Sequence, residues 1–180
     1  MDQTDLMKYA IPVVALRGLV VFPDMVLHFD IARQKSINAV NAAMEYGQKV
    51  FLTSQKDSAT EEPSFTDLYK NGVVAKIRQV ITVPESGNLR VIVEGESRAQ
   101  LEQVFEGDFL YADVKLKPEQ KYSAEREEYA AALLRKTREI FDEYSSYSPK
   151  VSPDVLLRVS ADDSPGGIAD YIASLYQNHY

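Results

Sequence analysis

The feature that most constrains this chain is a change of hydrophobic period near Pro118. Before it, short β-rich runs alternate with turn signals, at Ile11–Leu16, Met25–Phe29, Lys49–Gln55, Val73–Val83, Leu89–Glu94, Ala99–Phe105 and Phe109–Lys115. Seven such runs predict a small barrel or sandwich. Asn71-Gly72, Ser86-Gly87-Asn88 and Gly107-Asp108 supply residues that tolerate tight turns, and the last two are placed to close hairpins. One helix interrupts the strands from Ala32 to Tyr46, where Ile37, Val40 and Met44 recur at helical spacing and Gly47 offers a stop. Lys56 to Phe65 is polar, holds Pro63, lacks a period and reads as an exposed loop.

After Pro118 the spacing is helical. From Ser123 a long helix places Ala130, Leu133, Leu134, Thr137, Ile140, Phe141 and Tyr144 along one face, with Glu125, Glu127 and Glu128 early, where the helix dipole favours acids. Ser152-Pro153 and Ser164-Pro165 each set an N-cap serine before a proline at the first helical position, opening two shorter helices. The second shows Ile168, Ile172 and Leu175 as its stripe, which approaches Tyr180 closely enough to suggest a cut inside a helical region. The expected class is therefore α+β. A β-rich unit with one packed helix, residues 1–117, precedes a helical unit, residues 118–180, that reads as a truncated bundle.

Composition narrows the chemistry. The 180 residues are 45% hydrophobic, which suits a folded core, and no apolar run approaches the roughly 20 residues that span a bilayer. With no basic-then-apolar leader, the expectation is a cytoplasmic protein without a membrane partner. Zero cysteines exclude disulfides, thiol nucleophiles and thiolate metal sites. A formal charge of −7 disfavours non-specific binding to nucleic acid or anionic lipid. Lys76 and Arg78 alternate with Val74, Ile77 and Val80 as a one-side-buried strand does, so they and Arg90 and Arg98 read as scattered surface charge.

Catalytic patterns are absent from the sequence. No Gly-Lys pair occurs, so there is no G-x-x-x-x-G-K-[ST] phosphate loop, and neither G-x-S-x-G nor H-E-x-x-H is present. His28 falls in the Met25–Phe29 run and reads as a packed or edge-strand histidine, while His179 lies beside the terminus. The adjacent pairs Glu61-Glu62 and Glu127-Glu128 diverge in direction and do not make an acid–base couple. The chain is not expected to be an enzyme or to hold a cofactor or metal.

Five ordered blocks carry a positive signal. Ile11-Pro12-Val13-Val14-Ala15-Leu16-Arg17-Gly18-Leu19-Val20-Val21-Phe22-Pro23-Asp24-Met25-Val26 resembles the P-L-R-x-x-V-x-F-P-x-M opening of the N-terminal domain of ATP-dependent Lon proteases. Arg33-Gln34-Lys35-Ser36-Ile37-Asn38-Ala39-Val40 is similar to that family's G-R-x-x-S-I-x-A helix start, with Ala32 in place of the frequent glycine. Val50–Asp57, Gly72–Val80 and Val91–Ala99 resemble its Q-K-[DE], G-x-V-A-x-I and V-x-V-E-G-x-x-R-A segments. Gly72 and Gly95 are expected at turns.

The resemblance implies a PUA-like pseudobarrel followed by a helical subdomain. It further implies a non-catalytic role: binding misfolded, damaged or tagged proteins for an AAA+ ATPase and a serine–lysine dyad peptidase. ATP and Mg would belong to that ATPase module alone. The parent would be a homohexamer, and the isolated chain a monomer or a weak or domain-swapped dimer. Leu19, Val20, Phe22 and Met25 are the candidate substrate-binding residues, since unfolded proteins expose apolar groups and Met adapts to varied partners. The opposing reading places these four in the core. Two alternatives stay open: a stand-alone LON-domain binding module, and an RNA-binding domain of the PUA-like kind, which the net acidity opposes.

Overall fold

The computed structural model describes residues 8–84, 86–118, 123–148 and 151–177. The chain divides into two compact units, Met1–Pro118 and Glu119–Tyr180. The first holds β1 (Lys8–Leu16), β2 (Val26–Ile31), α1 (Gln34–Glu45), β3 (Lys49–Ser54), β4 (Asn71–Thr82), β5 (Leu89–Glu106) and β6 (Leu110–Leu116). The second holds α2 (Ala124–Tyr147), α3 (Pro153–Ala161) and α4 (Pro165–Gln177).

The strands form one mixed sheet in the order β2-β5-β4-β3-β1-β6, and an added β5–β6 pairing closes five of them into a barrel. Only the β1–β3 pair is parallel among the described pairings. The expectation of seven strands is corrected to six, because Leu89–Glu94 and Ala99–Phe105 are the two halves of β5. Its first half pairs with β2 and β4, and its second half pairs with β6. Register shifts opposite Val74/Ala75 and at Leu101/Gln103 leave Glu96 and Glu102 as extra residues. Such bulges bend and twist a strand, and that is how 18 residues turn a barrel corner without a loop.

The two glycines expected at turns are in strands instead. A Cβ at Gly72 would sit 2.3 Å from the Leu52 carbonyl oxygen, and one at Gly95 would sit 2.2 Å from that of Phe22. Each is required by close approach of another backbone segment.

Alternation along the strands builds two cores. Val14, Leu16, Val50 and Leu52 face one side with Val91 and Val93. Val13, Ala15, Phe51, Ala112 and Val114 face the other. Helix α1 lies on β1, β3 and β6 through Ser36, Ala39, Val40 and Ala43. The expected Ile37–Val40–Met44 stripe is thus rotated: Ile37 is half-buried and Met44 exposed, since small residues bring this helix close to the sheet. The helix ends in a Schellman turn, in which Gln48 N–H donates to Ala43 O at 2.8 Å around Gly47.

In the second unit Leu134, Phe141, Val159 and Ile168 form a small core with Ile172 and Leu175. The single apolar face expected on α2 is corrected: Leu134 and Phe141 are buried, whereas Leu133, Ile140 and Tyr144 are exposed. The apolar band is wider than α3 and α4 cover among the described residues. Arg138 joins α2 to the end of α3 by donating to the carbonyls of Val159 and Asp162. Those are C-terminal helix carbonyls with no intrahelical partner, so a cation there is well placed. The Ser164 hydroxyl accepts from Gly167 N–H at 2.9 Å and so caps α4, as its sequence position suggested.

Candidate functional site

The segment between β1 and β2, residues 17–25, carries all four candidate residues. Its path is fixed by the backbone. Asp24 N–H donates to Gly95 O and Gly95 N–H donates to Met25 O, each at 2.9 Å, while Met25 N–H reaches Phe22 O at 3.3 Å. At the other end Ser54 Oγ donates to Leu19 O at 2.6 Å, and Gln55 N–H donates to Leu16 O at 2.8 Å. The β5 bulge at Gly95–Glu96 is therefore the seat of the loop, and the absence of a side chain at Gly95 lets Phe22 approach.

The four residues do not share one environment. Val20 is 45% exposed, Phe22 and Met25 are half-buried, and Leu19 packs its side chain against the first core. Leu19 is therefore as much an anchor as a contact. Two neighbours complete the surface and were not singled out from the sequence. Val21 is buried at 6% exposure and pins the loop from below, while Val26, the first residue of β2, is 65% exposed. The signal for Val26 was available, since β2 alternates outward and inward from that residue and forms an end of the sheet. His28 follows Val26 on the same outward row, so it is an exposed edge-strand histidine.

Charge around this surface is mostly compensated. Arg90 holds Asp30 through two bonds of 2.7 and 2.9 Å, and Arg78 pairs with Glu94. The Arg90 hydrogen bond keeps the Asp30 carboxyl below its ordinary pKa, and the same contact raises that of Arg90. Arg98 lies over the Phe22 ring, 5.9 Å from its centroid, within cation–π range. Arg78 and Arg90 thus serve as local partners of acids, and Arg98 of one ring. Among the described residues, no group of three or more His, Cys, Asp or Glu side chains could hold a metal ion. No helix among them is long and apolar enough to cross a membrane.

A floor of strands and a backbone-pinned loop thus leave Val20 and Val26 exposed and Phe22 and Met25 half-buried. This arrangement offers apolar contact area.

Comparison with known proteins gives a consistent picture. Residues 10–178 match the family described as the ATP-dependent protease La (LON) substrate-binding domain. The chain is 38% identical over 167 residues to a Lon protease of Desulforamulus reducens, covering 92% of this chain and 20% of that protein. It is 36% identical over 169 residues to Lon protease 1 of Bacillus subtilis, covering 93% of this chain and 21% of that one. The chain thus spans about a fifth of the length of the curated relatives it matches. Its fold is similar to the N-terminal domain of a Mycobacterium avium complex Lon protease, with a TM-score of 0.69 at 20% identity, over 96% of this chain and 84% of that one. A Lon N-terminal domain protein from Xanthomonas campestris aligns with a TM-score of 0.51 at 12% identity, over 92% of this chain and 98% of that one.

Proposed function

The chain belongs to the family of Lon protease substrate-binding domains, and from that premise we propose that it captures unfolded or damaged polypeptides through the apolar surface of the 17–25 loop. One observation carries this reading. Val20, Phe22 and Met25 keep apolar surface accessible on a loop whose backbone is tied to β3 and to the β5 bulge, and Val26 adds to it from the start of β2. Apolar groups held open in this way match what an unfolded chain exposes and a folded one hides. Catalysis then belongs to the rest of a longer protein, in which an ATPase ring and a peptidase act on what this domain holds. Neither ATP turnover nor peptide hydrolysis is expected of the 180-residue chain itself.

The surface implies weak binding. A patch of about 300 Å2 at roughly 25 cal/mol per Å2 gives about 7 kcal/mol, most of which association entropy offsets. Several copies on one ring would hold a chain through effective concentration. The test is titration of a reduced, alkylated model protein into the chain and into a Val20→Ser/Phe22→Ser/Met25→Ser variant. Affinity should fall by about tenfold or more in the variant while the protein stays folded by circular dichroism. Equal affinities in two folded proteins would exclude this surface.

A further inference from the structure

Next to Leu19 lies a cleft of about 210 Å3 between the end of β1, the β2–α1 connection and the first turn of α1. Leu19 and Phe29 give it apolar walls, and Arg17, Arg33 and Ser36 give it a polar end. At that volume it is smaller than the ~300 Å3 of a small-molecule pocket, and suits a single residue.

The polar end is built for an anion. Helix α1 begins after Arg33 with no side-chain cap and no acidic residue in its first turn, so its opening N–H groups lack the usual partner. Ser36, in that turn, is only 7% exposed and lines the cleft, yet its hydroxyl has no hydrogen-bond partner among the described residues. The two guanidinium groups bond to neutral carbonyls: Arg33 to Ala15 O and Glu61 O, and Arg17 to Thr60 O. Neither has a carboxylate partner among the described residues. Asp30 also lines the cleft, but Arg90 holds both of its oxygens. Glu62, whose charge acts on Arg33, pairs with Lys35 at 3.1 Å. Burial first, and then the neighbouring Arg17, lower the Arg33 pKa from its ordinary value, against the opposing charge of Glu62.

A helix N-terminus, two arginines and a free hydroxyl beside an apolar wall match a group with an anion at one end and hydrocarbon at the other. We propose that this cleft seats the free carboxylate end of an unfolded polypeptide. The carboxylate lies among Arg17, Arg33, Ser36 and the first turn of α1, and the last apolar side chain lies against Leu19 and Phe29. The assignment rests on the reading of the adjoining 17–25 surface as a binding site for unfolded chains, since that surface would take the residues before the end. A bare phosphate would use the polar end and leave the wall empty.

The test is fluorescence anisotropy at low salt with a labelled Gly-Ser peptide ending in Leu-Phe-Leu, as the free acid and as the carboxamide. The acid should bind about tenfold more tightly, the scale of one charge-assisted hydrogen bond or somewhat more. Arg17→Gln and Ser36→Ala should each remove most of that preference, weakening the acid far more than the carboxamide. Ser36→Ala should not lower the thermal midpoint, because no protein hydrogen bond is lost. Equal binding of acid and carboxamide by the unaltered chain overturns the assignment, as does a preference that survives both substitutions. Inorganic phosphate binding without any acid preference makes the cleft a free-anion site and overturns it too. The 17–25 reading fails separately, when serine replacements at Val20, Phe22 and Met25 leave carboxamide affinity unchanged.

Discussion

Replacing Gly95 with alanine is the most direct probe of how the fold holds the 17–25 loop. A Cβ there would stand 2.2 Å from the Phe22 carbonyl oxygen and 3.1 Å from its carbon, and both contacts are backbone, so no side-chain rotation relieves them. The loop must lift. Lifting it strains or breaks the pair of bonds from Asp24 N–H to Gly95 O and from Gly95 N–H to Met25 O. Each is worth about 1 kcal/mol net, and overpacking adds roughly 1–3 kcal/mol. The reduced entropy of the unfolded alanine chain returns about 0.5 kcal/mol. The sum is a loss of about 3 kcal/mol, or a drop of roughly 10 °C in the midpoint of the first unit. Gly107→Ala is the control, since a Cβ there would meet nothing nearer than Phe109 O at 4.0 Å and its φ lies outside the left-handed region. Urea unfolding followed by circular dichroism measures both. If Gly95→Ala and Gly107→Ala both fall within about 0.5 kcal/mol of the parent, the loop is not seated on the bulge as described.

Three further outcomes follow from the same contacts. Phe22→Ser with Met25→Ser should destabilise by about 2–3 kcal/mol in total, below the 3 or more expected for each were it fully buried, and denaturant titration reads the difference. Arg138→Ala should lower the stability of the second unit by about 1–3 kcal/mol, because it strips the carbonyls of Val159 and Asp162 of a charged donor; amide exchange at the end of α3 should accelerate first. Asp30 and Asp67 both have lowered pKa values, from the Arg90 bond and from the Ser64 hydroxyl and N–H respectively. Their stabilisation is present above the unfolded carboxylate pKa and is lost as pH falls through the lower folded value, so Asp67→Asn should flatten the acid limb of a stability–pH curve.

The sequence was legible where local rules decide. The apolar run Ile11–Leu16 marked a strand, whose Val13 to Leu16 the structure buries on both faces, and Gly47 and Ser164-Pro165 marked helix ends by local chemistry. It misled where a distant segment decides. Gly72 and Gly95 read as turn residues because a glycine's close approach to another backbone has no local signature, and the approaching carbonyls belong to Leu52 and Phe22. The same blindness split β5 in two, since a bulge opposite Val74/Ala75 depends on β4. On α1 and α2 the apolar period was right and the phase was not, because the covered side depends on how near the neighbour lies: small Ala39 and Ala43 face the sheet, and Leu133 and Ile140 stay open.

That division bears on the candidate surface. Residue type alone does not separate core from contact at Phe22 and Met25, and the contacts that decide it come from far along the chain: Gly95 holds the backbone at Met25 and Arg98 lies over the Phe22 ring. The tethering has an energetic consequence for the proposed binding. A loop free to move would lose about 1–2 kcal/mol of backbone entropy per residue on fixing a partner. Tied at Leu16, Leu19, Asp24 and Met25, this loop has already lost most of it on folding. The small apolar area then goes mainly to holding the substrate, and weak affinity per copy follows from area and association entropy with little added from disorder. It follows that loosening the seat at Gly95 should weaken binding even with every apolar contact residue still in place.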